Sequence, residues 1–195
     1  MRNAVVTFAC CAAFAGAAAA QGQRAGAPPA APASVGAEVN GFYTRIAGFI
    51  TRSAEMVPED KYTWAPTPEV RNFARLFAHI VDDNNGACWQ SAGLAAAPAR
   101  MDVRDGETWT ASAARKADLQ KALADSVALC EKAFAAVTPA NMMEQPTGRG
   151  RTRIGSLIYN TSHINEHYGN LVTYIRLQGM VPPSSDNTGR GRGGQ

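Results

Sequence analysis

The hydrophobic positions of the chain repeat at helical spacing in separate segments. The first predicted helix covers residues 40–56 and ends before Pro58. Its apolar positions are Phe42, Ile46, Phe49 and Ile50. The second begins with Thr67 as N-cap and Pro68 at the first helical position, and it runs to about Ala92. Its apolar stripe consists of Val70, Phe73, Leu76, Phe77, Ile80 and Cys88.

Two further helices follow a long segment without periodicity. Residues 93–112 mix glycine, proline, charged and small residues. A third helix is predicted before Pro139 from Leu119, Leu123, Val127, Leu129, Cys130 and Phe134. The fourth covers residues 152–178 and stops at Gly179. Four helices without strands predict an all-α four-helix bundle with a long crossover between the second and third helices.

Cys88 and Cys130 test the direction of the second and third helices. A crossover as long as this one can span the bundle, so that the two helices run parallel and both cysteines lie at similar height. In the antiparallel arrangement they would be roughly 20 Å apart, too far for a disulfide. The sequence therefore predicts a disulfide between Cys88 and Cys130, and the alternative is two buried thiols that never meet.

The fourth helix also carries a polar stripe beside its apolar one. The polar stripe lies one helix-face over from the apolar one, and its members share a face because positions three and four apart align on a helix. The stripe consists of Tyr159, Asn160, His163, His167, Asn170 and Tyr174. The tyrosines around the two histidines favour a partly buried pocket over a solvated surface, so Tyr159, Asn160, Asn170 and Tyr174 are predicted pocket residues.

The three histidines of the chain form a candidate metal site. His163 and His167, four residues apart on one helix, can bind one ion from the same side, and His79 lies at a similar depth in the second helix. Asp83, one turn beyond His79, is a candidate base or support for an imidazole, with an exposed helix aspartate as the alternative. Glu166 is a weaker candidate base because it lies about 80° around the helix from the pair.

The ends of the chain predict export. Residues 1–20 have the pattern of a signal peptide, with Arg2 followed by an apolar stretch and a small-residue cleavage site. Residues 21–37 are an Ala/Pro/Gly linker, residues 38–185 the bundle, and residues 186–195 a Gly/Arg tail. No membrane span is expected after the signal. The predicted location is periplasmic or secreted, where a disulfide is stable.

The charge of the chain is too balanced to indicate a nucleic-acid partner. It has 19 basic and 16 acidic side chains. The pentapeptide Thr-Gly-Arg-Gly-Arg occurs twice, at residues 147–151 and 188–192, without aromatic residues that could stack on bases. We expect a small-molecule substrate and no nucleic acid, and a homodimer stays open.

Two segments resemble the DinB-like (YfiT-type) family. One begins at Tyr62 with Tyr-Thr-Trp-Ala-Pro-Thr-Pro-Glu-Val-Arg-Asn-Phe and continues to His79 and Asn84; the other runs from His163 to Arg176. The resemblance implies the same bundle and a divalent metal, often nickel or zinc, held by three histidines that map onto His79, His163 and His167. Some members are transferases or isomerases that use bacillithiol or mycothiol, and an exported location counts against such a cytosolic cosubstrate.

Three functions are compatible with these residues. The first is a metal-dependent hydrolase or transferase of unknown substrate that uses the three histidines. The second is a non-catalytic metal-binding or carrier protein. The third is a structural bundle in which the histidines fill the core.

Overall fold

The computed structural model describes residues 34–102, 104–105, 108–109, 115–146 and 150–186. The predicted signal peptide, most of the predicted linker and the tail after Asp186 lie outside the described residues, as do three residues of the first Thr-Gly-Arg-Gly-Arg segment. Within the described part, no helix is both long enough and apolar enough to span a membrane.

Four α-helices form the bundle, which confirms the predicted fold class. They are α1 (Val35–Met56), α2 (Phe73–Cys88), α3 (Lys116–Ala136) and α4 (Arg153–Leu177), with a short 3-10 helix at Glu59–Lys61. The crossover contains two strands of two residues each, β1 (Arg104–Asp105) and β2 (Thr108–Trp109), which pair antiparallel. This small hairpin was not predicted, because two-residue strands leave no periodic pattern in the sequence.

The predicted starts of α1 and α2 were wrong. Helix α1 begins five residues earlier than predicted, because the Ser34 side chain accepts a hydrogen bond from the Ala37 amide and caps it. Helix α2 begins later, after Asn72, whose side chain caps the helix through the Arg75 amide. The segment that begins at Thr67 forms turns instead.

Thr67 and Asn72 can each cap the start of α2, and backbone hydrogen bonds around the first turn explain why the helix starts late, after Asn72. The amides of Phe73 and Ala74 donate to the carbonyl groups of Trp64 and Tyr62, at 3.2 and 2.8 Å. These bonds satisfy donors that the first turn of a helix leaves free. The first turn of α2 is thereby tied to the preceding segment, and Asn72 becomes the N-cap.

Contacts between the helices show their directions. Asn84 bonds to Ser126 and Cys88 is bridged to Cys130, so the partners advance together along α2 and α3, which therefore run parallel. This confirms the direction expected from the long crossover. Helix α1 runs antiparallel to α3, because Tyr43 contacts Phe134 whereas Ala54 contacts Gln120.

The packing order brings α2 beside α4. Helix α2 packs against α3 and α4, and α1 packs against the same two helices. The largest fully buried side chains are Tyr43, Ile50, Val57, Phe73, Phe77, Ile80, Leu119, Leu123, Leu157, Ile164, Leu171 and Ile175. Ile158, which the periodicity of α4 assigns to the apolar stripe, is 45% exposed instead.

The predicted disulfide is confirmed. Cys88 and Cys130 are bonded, their Cα atoms are 5.0 Å apart, and both side chains are buried. The bridge joins the last residue of α2 to the second half of α3.

Replacing both bridged cysteines with alanine should lower the free energy of unfolding by about 2–4 kcal/mol, because the bridge restricts the unfolded chain over a separation of 42 residues. Urea unfolding with and without reductant measures this. Reductant should lower the free energy of unfolding of the wild-type protein and leave that of the Cys88→Ala/Cys130→Ala variant unchanged. Equal stability of the oxidised wild type and the variant would contradict the prediction.

Candidate metal centre

Two pairs of side chains from α2 and α4 converge at one point. His79 and Asp83 lie four residues apart on α2, and His163 and His167 lie four residues apart on α4. Each pair shares a helix face. Ligand atoms from all four side chains lie within 4.8 Å of one another. The His79 ring centroid is 5.8 Å from that of His163 and 4.8 Å from that of His167.

The Asp83 carboxylate lies at the centre of this His/Asp cluster. Its Oδ2 atom is 3.5 Å from His79 Nε2, 3.6 Å from His163 Nδ1 and 3.6 Å from His167 Nε2. The same oxygen is buried and has no hydrogen-bond partner among the described residues. An unpaired buried carboxylate oxygen is costly, and a bound cation is one of the few groups that compensate it.

The donor atoms of the cluster fit a divalent metal. Imidazole nitrogen and carboxylate oxygen bind zinc at about 2.0–2.2 Å, which places neighbouring ligand atoms about 3.3–3.6 Å apart in a tetrahedron. The distances from Asp83 Oδ2 to the three imidazoles match this spacing. The Nε2 atoms of His163 and His167 are 3.0 Å apart, so these two imidazoles also contact each other directly. The cluster could therefore hold a metal ion.

A cavity of about 250 Å³ opens beside the cluster. Asp83 and His163 form part of its wall, together with Asp82, Tyr159, Asn160 and Arg151. The remaining lining residues are Gly86, Ala87, Trp89, Gln90 and Ser156. A molecule in this cavity would lie directly against two members of the His/Asp cluster.

Only half of the polar stripe on α4 belongs to this cavity. Tyr159 and Asn160 line it. Asn170 is exposed, and Tyr174 packs edge-on against Trp64 and Phe73 in the aromatic core. These two residues do not line this cavity, which lies toward the N-terminal part of α4. Glu166 is exposed and makes no hydrogen bond or ion pair with the cluster in the described part of the chain.

A family comparison matches the part of the chain that builds the site. The model of the DinB superfamily matches residues 49–171, which is more than half of the chain. The chain belongs to the DinB superfamily. The matched region contains all four members of the His/Asp cluster. No curated protein matches the chain.

In this DinB-superfamily protein, a second set of charged residues supports His79. Asp102, from the crossover, is buried and pairs with Arg71 and Arg75 at 3.0 and 3.4 Å. Its Oδ2 atom is 3.6 Å from His79 Nδ1, and an Arg71 guanidinium nitrogen is 3.3 Å from the same atom. A carboxylate behind a metal-binding histidine orients the ring and raises its basicity.

The sequence gives little sign of this support. Asp102 lies in the aperiodic crossover, and Arg71, which the sequence placed inside the second predicted helix, lies in the irregular segment before α2. Asp82 holds the crossover in place, because its carboxylate accepts hydrogen bonds from the amides of Met101 and Asp102 at 2.7 and 3.0 Å. The adjacent acids Asp82 and Asp83 were the one signal in the sequence that this region contacts more than one partner. Side chains at consecutive helix positions point in different directions, so the two acids contact different groups.

Burial shifts the charges of the cluster toward neutrality. It raises the pKa of Asp83 to about 6, against the attraction of His163. It lowers the pKa of His79 to about 4, with a further contribution from Arg71, and that of His167 to about 4, with a further contribution from His79. His79 and His167 are therefore neutral near pH 7, which is the state that binds metal.

Asp83→Asn should stabilise the metal-free protein by about 1–2 kcal/mol at pH 7, because it removes a buried charge whose pKa is raised. The wild-type protein carries this cost fully above the folded-state pKa of about 6 and loses it as the pH falls toward the ordinary value of 3.8. The stability difference between the two proteins should therefore shrink between pH 7 and pH 4.

Urea unfolding of both proteins in chelator across this pH range measures the difference. The lowered pKa values of His79 and His167 make both proteins less stable as the pH falls from 6.5 to about 4, so the two proteins are compared with each other at every pH. A gain from Asp83→Asn that is as large at pH 4 as at pH 7 would contradict the prediction.

Proposed function

We propose that this protein is a metal-dependent enzyme, a hydrolase or transferase that acts on a small molecule in the cavity beside the His/Asp cluster. The observation that carries the proposal is that His163 and Asp83 belong to both the cluster and the cavity wall. A metal held only for structure has no need of an adjoining cavity, whereas a catalytic metal must meet its substrate.

The proposed ligands are His79, His163 and His167. A divalent ion bound there, with zinc or nickel as the candidates, would supply Lewis acidity toward an oxygen of the substrate. The Asp83 carboxylate would accept the proton of the attacking nucleophile through Oδ1, the oxygen other than the one buried among the imidazoles. In the metal-free protein the pKa of Asp83 is raised only to about 6, so its carboxylate is ionised at neutral pH, the state that a base requires.

The proposed setting is outside the cytosol. The buried disulfide supports this, since disulfides persist in oxidising compartments. The proposed partner is a small molecule rather than nucleic acid. The proposal of export also rests on the sequence patterns of the chain ends. The proposal of a small-molecule partner rests on the size of the cavity.

A non-catalytic metal carrier is the second candidate, and the position of Asp83 favours it. If Oδ2 joins the three imidazoles as a fourth ligand, a tetrahedral ion is fully enclosed by protein atoms, as in structural or storage sites. Asp83→Asn separates the two functions. Loss of metal affinity by tenfold or more supports the closed site, whereas retained affinity with lost activity supports the base.

His163→Ala should remove stoichiometric metal and any metal-dependent activity, because His163 connects the cluster to the cavity. Elemental analysis after purification without chelator measures the metal, and zinc- or nickel-loaded protein is screened against esters, amides and thiol acceptors. Glu166→Gln is the matched control, since Glu166 lies on the same helix with an exposed side chain that makes no hydrogen bond or ion pair with the cluster among the described residues.

The outcomes assign the function. Metal and activity lost in His163→Ala but kept in Glu166→Gln support the enzyme. Tightly bound metal without turnover across the screen supports the carrier. A wild-type protein that binds neither zinc nor nickel overturns both proposals and leaves the structural bundle.

A further inference from the structure

One cation at the cavity has no acidic partner among the residues that the structure describes. Arg151 lines the cavity, and no ion pair connects it to an acid within the described part of the chain. The neighbouring cations differ, since Arg153 pairs with Glu144 at 3.1 Å and Arg100 pairs with Asp82 at 3.4 Å. The guanidinium group of Arg151 is therefore available to an anion in the cavity.

An aromatic ring connects this cation to the His/Asp cluster. The Cζ atom of Arg151 lies 3.8 Å from the ring centroid of Tyr159, a cation–π contact that keeps the guanidinium against the ring. The Tyr159 ring centroid lies 5.4 Å from that of His163. Arg151, Tyr159 and His163 thus form a continuous path along the cavity wall from an exposed cation to the cluster.

The charges at the two ends of the path orient a ligand. Asp83 lines the cavity on the side of the cluster, and in the metal-free protein its carboxylate repels an anionic group there. The Arg151 guanidinium presents a planar fork of donors that matches a carboxylate. A carboxylate therefore favours the Arg151 end, and the uncharged part of the same molecule faces His163 and Asp83.

We infer that the substrate is a small carboxylic acid whose carboxylate is bound by Arg151 and whose reacting bond lies beside His163 and Asp83. This inference rests on the proposed function and adds the substrate class to it. A cavity of about 250 Å³ is below the range of roughly 300–1,000 Å³ that holds drug-sized ligands, so the molecule has few atoms beyond the carboxylate and the reacting group.

N-acetylglycine is a suitable probe, since it carries one carboxylate and one amide bond. Its neutral analogue N-acetylglycinamide carries a carboxamide in place of the carboxylate. Binding of each is measured by chemical-shift titration of the zinc-loaded and the metal-free full-length protein. The wild type should bind N-acetylglycine at least threefold more tightly than N-acetylglycinamide. Arg151→Gln should remove that difference in affinity.

The matched control is Arg115→Gln, which changes the net charge equally. Arg115 is exposed, pairs only with Asp118 among the described acids, and lies beside the start of α3 at the other end of the bundle. It should leave the preference for N-acetylglycine unchanged. Zinc content is measured on every variant, and Arg151→Gln should retain it.

The two proposals fail separately. If the wild type shows no preference for the carboxylate in either form, or if Arg151→Gln and Arg115→Gln reduce it equally, the inference about the substrate is overturned while the metal site stands. If zinc does not bind but the metal-free protein still shows a preference that depends on Arg151, the substrate class is supported and the metal-dependent function is rejected.

Discussion

The parallel arrangement of α2 and α3 is the constraint on which the rest of the structure depends. Consecutive helices that run parallel need a connection that returns along the length of the bundle. In this chain the return brings Asp102 to His79, a member of the His/Asp cluster. It also leaves α2 beside α4, so that His79 and Asp83 face His163 and His167. A short loop between α2 and α3 would permit neither arrangement.

The sequence predicted the features that depend on the spacing of residues along one helix. It also predicted the one feature that depends on the distance between two cysteines on different helices. The pair His163 and His167 follows from helix periodicity, and the cysteines gave the direction of α3, which the structure confirms. The convergence of His79 with that pair followed from its depth in the bundle. Asp83 was identified as a neighbour of the imidazoles, but its central position depends on how α2 is turned toward α4, which periodicity alone does not give.

The remaining features depend on non-local contacts. Asn72 replaced Thr67 as the cap of α2 because the helix is tied back to Tyr62 and Trp64. Asn170 and Tyr174 share a face with the histidines, yet the cavity extends the other way along α4, so the stripe covers more of the helix than the site does. Asp102 comes from an aperiodic segment, and its contact with His79 becomes visible only once the crossover is folded.

The buried amides beside the disulfide have a consequence for the metal centre. Asn160 donates to Asn84, Asn84 donates to Ser126, and Asn160 also approaches Cys130, so three helices meet in one buried network. Asn84 directly follows Asp83, and consecutive helix residues point about 100° apart. The network and the bridge therefore fix the rotation of α2 about its own axis. The backbone that carries Asp83 is held facing the imidazoles, so little reorientation of α2 would be needed for the cluster to bind a ligand.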